Sequence, residues 1–93
     1  MTLENTLALA LQHTLKELYN IDIQPDSSLL QPTRKEFEGD FTMVVFPYVK
    51  TAHKAPDVVA KEIGDKMLEK FDFLTHYNVV KGYLNLSIAD NYW

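Results

Sequence analysis

Residues 83–88, near the end of the chain, alternate strictly between two kinds of side chain, and this pattern constrains the fold most. In a β-strand, such alternation sends successive side chains to opposite faces. One face comprises Leu84, Leu86 and Ile88, and the other comprises Tyr83, Asn85 and Ser87. We expect the first face to join a core and the second to lie open. The ring can stack on a flat group, and the carboxamide and hydroxyl can hydrogen-bond the edge of that group. This set is typical of a surface that binds a ligand and not of a catalytic site.

The length and the absence of cysteine limit the class of protein. The 93 residues suffice for one domain with its own core, spanning residues 1–93. The chain has no cysteine, which excludes disulfides and thiolate metal sites. Apolar runs such as Met43 to Phe46 are far shorter than the ~20 residues that span a bilayer. We therefore expect a soluble, cytoplasmic protein with no membrane partner.

The formal net charge of −4 argues against binding nucleic acid by bulk electrostatics. No DNA partner is expected, and any contact with RNA must be local. The basic residues are unevenly placed, and they include a pair at Arg34 and Lys35, a group at Lys50, His53 and Lys54, and Lys81 beside the hairpin. A solvated surface explains these groups as readily as phosphate contacts do.

The first half of the chain begins with an amphipathic helix. Leucines at helical spacing predict a helix over residues 3–19, with Thr2 as its cap. They are Leu3, Leu7, Leu11, Leu15 and Leu18. Turn residues follow over 20–28, and a short extended run near residues 29–33 contains Pro32, which favours an edge strand.

The segment from Gly39 to Ala52 is ambiguous between helix and strand. Asp40 is suited to cap a following helix, and Gly39 permits a tight entry. Met43 to Phe46 also fits a buried strand, but Pro47 would remove a ladder hydrogen bond there. We therefore predict a kinked helix over residues 41–52.

The second half predicts a helix followed by a hairpin. Pro56 begins the helix, and Gly64 within it indicates close packing against a neighbour. Its buried stripe comprises Val59, Ala60, Ile63, Met67, Leu68 and Phe71. Strands at about 75–80 and 83–88 are joined by Lys81-Gly82, which is short enough for a hairpin. The predicted fold class is α+β, with helices packed on one face of a small antiparallel sheet and a C-terminal β-hairpin.

No catalytic or metal-binding pattern stands out. The histidines, His13, His53 and His76, lack ligand spacing, so no metal site is expected. Glu36, Glu38 and Asp40 alternate, but loop solvation with one helix cap explains them better than a cation does. A phosphate-binding glycine loop and a nucleophile elbow are both missing. We expect no catalysis and no cofactor from this segment alone.

Three motifs in a fixed order carry a resemblance to a known family. They are Phe-Glu-Gly-Asp-Phe at 37–41, Val-Ala-Lys-Glu-Ile-Gly at 59–64 in the helix begun by Pro56, and Val-Lys-Gly-Tyr-Leu-Asn at 80–85. From about residue 28 to 93 the chain resembles the N-terminal additional domain of arginyl-tRNA synthetases. In that family Gly39, Asp40, Pro56 and Gly82 correspond to positions that begin helices or shape the strand entry.

The resemblance implies contact with the outer corner of arginine tRNA, at the D-loop. The matching positions are Tyr83, as an aromatic platform for an unpaired base, and Asn85, as the amide that reads its edge. Two departures stand out. The family often has an amide where this chain has its apolar run Met43 to Phe46, and it commonly has Gly-Pro where Lys81-Gly82 stands. Lys81 is a candidate phosphate contact in their place.

The chain lacks the His-Ile-Gly-His and Lys-Met-Ser-Lys-Ser signatures of class I synthetases. The resemblance therefore implies a parent arginine-tRNA ligase whose catalytic domain, with ATP and magnesium, lies in the same chain beyond these residues. A non-catalytic protein-interaction module is the alternative, and a stand-alone small enzyme is a third reading. The module would dock a partner chain through its exposed sheet or terminal aromatics. The alternative for Tyr83 and Asn85 is structural, with the ring packed against a helix or the remainder of the enzyme and the amide bonded to a backbone group.

Overall fold

A computed structural model describes residues 3–24, 30–33 and 39–89. In chain order the elements are α1 (Leu3–Tyr19), β1 (Gln31–Pro32), β2 (Phe41–Val44), α2 (Phe46–Ala52), α3 (Pro56–Lys70), β3 (Leu74–Val80) and β4 (Tyr83–Ile88). The predicted cap Thr2, the charged loop over 34–38 and the terminal residues 90–93 lie outside the described part.

The four strands form one antiparallel sheet in the order β1-β2-β4-β3. The last strand in sequence is therefore central, because β4 pairs with β2 on one side and with β3 on the other. The β3–β4 pair is the predicted C-terminal hairpin. The short strand at Gln31–Pro32 lies at the sheet edge, as the proline predicts. The predicted α+β class is confirmed.

The helices bury the stripes that their spacing predicts. On α1, Leu7, Leu11 and Leu15 are buried and Leu18 is partly buried. The α3 stripe is buried from Val59 to Met67, while Leu68 and Phe71 are partly buried. Helix α3 packs against β3 and β4, and α1 packs against α3. The core lies between this helical layer and the apolar face of the sheet, which includes Leu84 and Leu86.

The prediction of a kinked helix over 41–52 is wrong. Residues 41–44 form β2, and a separate helix, α2, begins at Phe46. Pro47 lies in the first turn of α2, where a missing N–H costs nothing. Pro47 excludes a strand only at its own position, so residues 41–44 can pair with β4 and the helix can begin after them.

Asp40 caps no helix. Its backbone N–H donates to the carbonyl of Leu86 at 2.7 Å, and its Oδ2 accepts the backbone N–H of Ile88 at 2.7 Å. The carboxylate therefore takes the place of a strand partner where the pairing of β2 with β4 ends. This contact anchors the end of the central strand.

Gly64 marks the close approach of α3 to the sheet. A Cβ built on Gly64 would lie 2.7 Å from Cγ of Tyr77, so the ring occupies the space that a side chain would need. The Tyr77 hydroxyl donates to Asp65 at 2.5 Å, which holds the ring in place. Burial and this hydrogen bond raise the pKa of Tyr77 to about 12. The close packing predicted at this glycine is confirmed.

We expect Gly64→Ala to destabilise the chain by about 1–2 kcal/mol, because overpacking costs about 1–3 kcal/mol and the gain in helix propensity returns only about 1 kcal/mol. Urea unfolding measures the change. In a Tyr77→Ala background the same substitution should instead stabilise by up to about 1 kcal/mol. A Gly64→Ala chain at least as stable as the unsubstituted one would show that the ring yields without cost.

Candidate nucleic-acid interface

The turn between β3 and β4 is rigidly held. Lys81 and Gly82 both have positive φ, 48° and 82°, as a type I′ hairpin turn requires. The N–H of Gly82 donates to Oδ1 of Asp57, in the first turn of α3, at 3.0 Å. The carbonyl of Gly82 accepts the N–H of Val45 at 3.3 Å. The tip is therefore tied both to α3 and to the residue before α2.

A groove of about 410 Å³ runs along the sheet face that points away from the core. Its lining comprises Gln31, Pro32, Thr42, Val44, Val80, Lys81, Tyr83 and Asn85. The structure thus brings together the three residues for which the sequence predicts RNA contact. Among the described residues of this lining, Lys81 is the single charged one, and the others are apolar, aromatic or neutral polar.

Tyr83 forms one wall of the groove and is 43% exposed. Its ring meets that of Phe46 edge to face, with centroids 6.3 Å apart and planes at 90°. Phe46 is itself 51% exposed. Phe46 was not predicted to belong to the site. Its place immediately before Pro47, at the start of a helix, is a signal that it lies past the end of the buried strand.

The expectation that Asn85 and Ser87 lie exposed is wrong. Asn85 is only 1% exposed, because β4 is the central strand and the backbone at Gly39 crosses over it. A Cβ on Gly39 would lie 3.0 Å from Cβ of Asn85, and Gly39 has φ +132°, so this crossing requires glycine. Ser87 is buried as well, with its hydroxyl 3.1 Å from Nε2 of His76.

The buried amide of Asn85 is half satisfied. Its Oδ1 accepts from the Thr42 hydroxyl at 2.5 Å, and that hydroxyl lies 2.9 Å from the hydroxyl of Thr33. Its Nδ2 has no hydrogen-bond partner within the described part of the chain. A buried donor without a partner costs free energy, and buried polar groups are generally bonded. Asn85 therefore lies at the floor of the groove with an amide donor that the described residues leave unbonded.

The predicted structural residues shape the surroundings of the groove. Gly39 covers Asn85, Asp40 anchors the end of β4, and Gly82 forms the turn. Pro56 begins α3, as predicted. Two of the predicted helix entries, Gly39 and Asp40, thus belong to the sheet instead.

No group of three or more His, Cys, Asp or Glu side chains among the described residues could hold a metal ion. No helix among them is long and apolar enough to cross a membrane.

Residues 5–88 match the family model for the arginyl tRNA synthetase N terminal domain. Among curated proteins, the arginine–tRNA ligase of Amoebophilus asiaticus is 43% identical over 93 residues, and that of Parabacteroides distasonis is 39% identical over 93 residues. Each match covers 100% of this chain and 16% of the relative. The chain thus spans about one sixth of the length of these relatives.

A solved structure matches the fold as well. The Thermus thermophilus arginyl-tRNA synthetase aligns with a TM-score of 0.76 and 26% sequence identity. The alignment covers 98% of this chain and 15% of that one. The similarity therefore extends over the whole arrangement of helices and sheet.

We expect Thr42→Val to lower the free energy of unfolding by about 1–3 kcal/mol, because it removes the donor that satisfies the buried Oδ1 of Asn85. Thr42→Ser keeps the hydroxyl and is the matched control. Urea unfolding of the three chains gives the comparison. A loss of stability in Thr42→Ser with none in Thr42→Val would assign the contribution to the methyl group instead of the hydrogen bond.

Proposed function

Because this chain belongs to the family of arginyl-tRNA synthetase N-terminal domains, we propose that it is an appended domain that contacts arginine tRNA at its outer corner, where the D-loop lies. It supports the ligation of arginine to tRNA by a catalytic domain elsewhere in a longer arginine–tRNA ligase. ATP, with magnesium, binds to that catalytic domain.

The convergence of Lys81, Tyr83 and Asn85 on one groove carries this proposal. The volume of about 410 Å³ lies within the roughly 300–1,000 Å³ of small-molecule sites. Among the described residues, the lining offers one aromatic ring, at Tyr83, two side-chain amides, at Gln31 and Asn85, and one cation, at Lys81. This set suits a single unstacked nucleotide, since RNA readers favour splayed bases that stack on aromatic side chains.

Each side chain takes a distinct role in the proposed complex. Tyr83 stacks on the face of the base. The Nδ2 of Asn85 is the donor to the base edge, and because Asn85 is 1% exposed this contact requires the floor of the groove to open as the base enters. Thr42 fixes the orientation of that amide by bonding its oxygen. Lys81, exposed at the turn, neutralises a phosphate. Because the chain carries a net charge of −4, such local contacts supply the affinity in place of a broad basic surface.

A protein-interaction module is the rival function, since Phe46 and Tyr83 are both exposed aromatics. An aromatic pair of this kind suits a protein partner as well as a base. The unpartnered amide of Asn85 and the adjacent lysine favour RNA, because a base and its phosphate satisfy both at once.

We expect Tyr83→Leu in the full-length ligase to raise the KM for arginine tRNA about 5- to 150-fold, because a base–aromatic stack is worth about 1–3 kcal/mol. Tyr83→Phe keeps the ring and should stay close to the unsubstituted enzyme. Aminoacylation kinetics measure both, and ATP binding without tRNA should be equal in all three. An unchanged KM in Tyr83→Leu would refute the proposed role and favour the protein-interaction module.

Lys81→Ala should weaken tRNA binding and flatten its salt dependence. Loss of one phosphate contact lowers the slope of log K against log salt by about 0.7–0.9. Lys61→Ala is the matched control, because Lys61 is an exposed lysine on α3 and does not line the groove. Filter binding at several salt concentrations distinguishes the two. If both variants show the same slope of log K against log salt, Lys81 does not contact a phosphate.

A further inference from the structure

Phe46 lies beside the proposed stacking ring but does not line the groove. Its ring meets Tyr83 edge to face, with centroids 6.3 Å apart, and it remains 51% exposed. An exposed phenylalanine gains little from burial at such a position. The contact with Tyr83 is the one that its ring makes with another aromatic side chain on this surface.

The backbone around Phe46 is fixed on both sides. Val45, immediately before it, is fully buried and donates its N–H to the carbonyl of Gly82. A Cβ on Gly82 would lie 2.6 Å from Cζ of Phe46, so the ring rests directly over the glycine backbone. Any side chain at position 82 would displace the ring. The turn, the start of α2 and the two rings thus form one packed unit.

We infer that Phe46 is a positioning residue, which holds the Tyr83 ring in the orientation that receives the base. This inference rests on the proposed function of the groove. A half-exposed tyrosine otherwise samples several rotamers, and ordering it on binding lowers affinity. An edge-to-face contact restricts the ring before RNA arrives, since such pairs favour this geometry over a parallel stack.

The test is a double-mutant cycle in the full-length ligase, with Phe46→Leu, Tyr83→Leu and the double variant. We expect Phe46→Leu to raise the KM for arginine tRNA about two- to twelvefold, as the strength of an aromatic pair implies, with kcat and tRNA-free ATP binding unchanged. In the Tyr83→Leu background, Phe46→Leu should have no further effect. Phe46→Tyr keeps a ring and should restore the unsubstituted KM.

Three results would overturn the inference, and they are separable from failure of the proposed function. If Tyr83→Leu raises the KM but Phe46→Leu does not, Phe46 does not position the ring. If Phe46→Leu acts equally in both backgrounds, it contacts RNA by itself. If Phe46→Tyr fails to restore the KM, the ring is not what matters. If Tyr83→Leu itself leaves the KM unchanged, the proposed function fails and takes the inference with it.

A second measurement keeps the inference testable should Phe46→Leu lower the melting temperature sharply. In the unsubstituted protein with labelled tyrosine and phenylalanine, the Tyr83 ring protons should show nuclear Overhauser contacts to Phe46 and a ring-current shift in their resonances. Absence of both would mean that the rings do not meet in solution, and Phe46 could not position Tyr83.

Discussion

The fold and the groove both depend on the pairing of β4 with a strand on each side. Although it comes last, β4 is central, so its apolar side chains join the core and its polar ones lie at the base of the groove. Asp40 secures this arrangement, because its carboxylate and its N–H bond to the end of β4 at Ile88 and Leu86. A strand held in this way fixes the position of every side chain along it.

Periodicity predicted most of the fold. The leucine spacing of α1, the proline at the start of α3 and the alternation of β4 each report a local preference that the packing reinforces. The segment 41–52 could not be resolved in this way, because its apolar run fits either period. The choice there depended on β4 as a partner across 40 residues of chain, and a local pattern carries no record of that pairing.

The sequence predicted which residues form the candidate site but not how deeply each side chain is buried. The alternation places Tyr83 and Asn85 on one face, and the structure brings them to one groove with Lys81. The burial of Asn85 depends on where the chain crosses at Gly39, which sequence spacing does not reveal. This burial gives the amide its fixed orientation. Thr42 bonds the amide oxygen, and the amide nitrogen has no partner among the described residues. Phe46 was missed because its partner, Tyr83, is distant in the sequence and meets it only through tertiary packing.

The hydrogen bond from Gly82 to Asp57 has a mechanical consequence for this domain. It ties the hairpin tip to the beginning of α3, and the carbonyl of the same glycine ties it to Val45. Nucleotide capture at the tip would therefore load the helical layer directly. Because these bonds join the hairpin tip to α3 and to Val45, any large motion of the domain has to arise outside this bonded unit. The groove then moves as part of one rigid body.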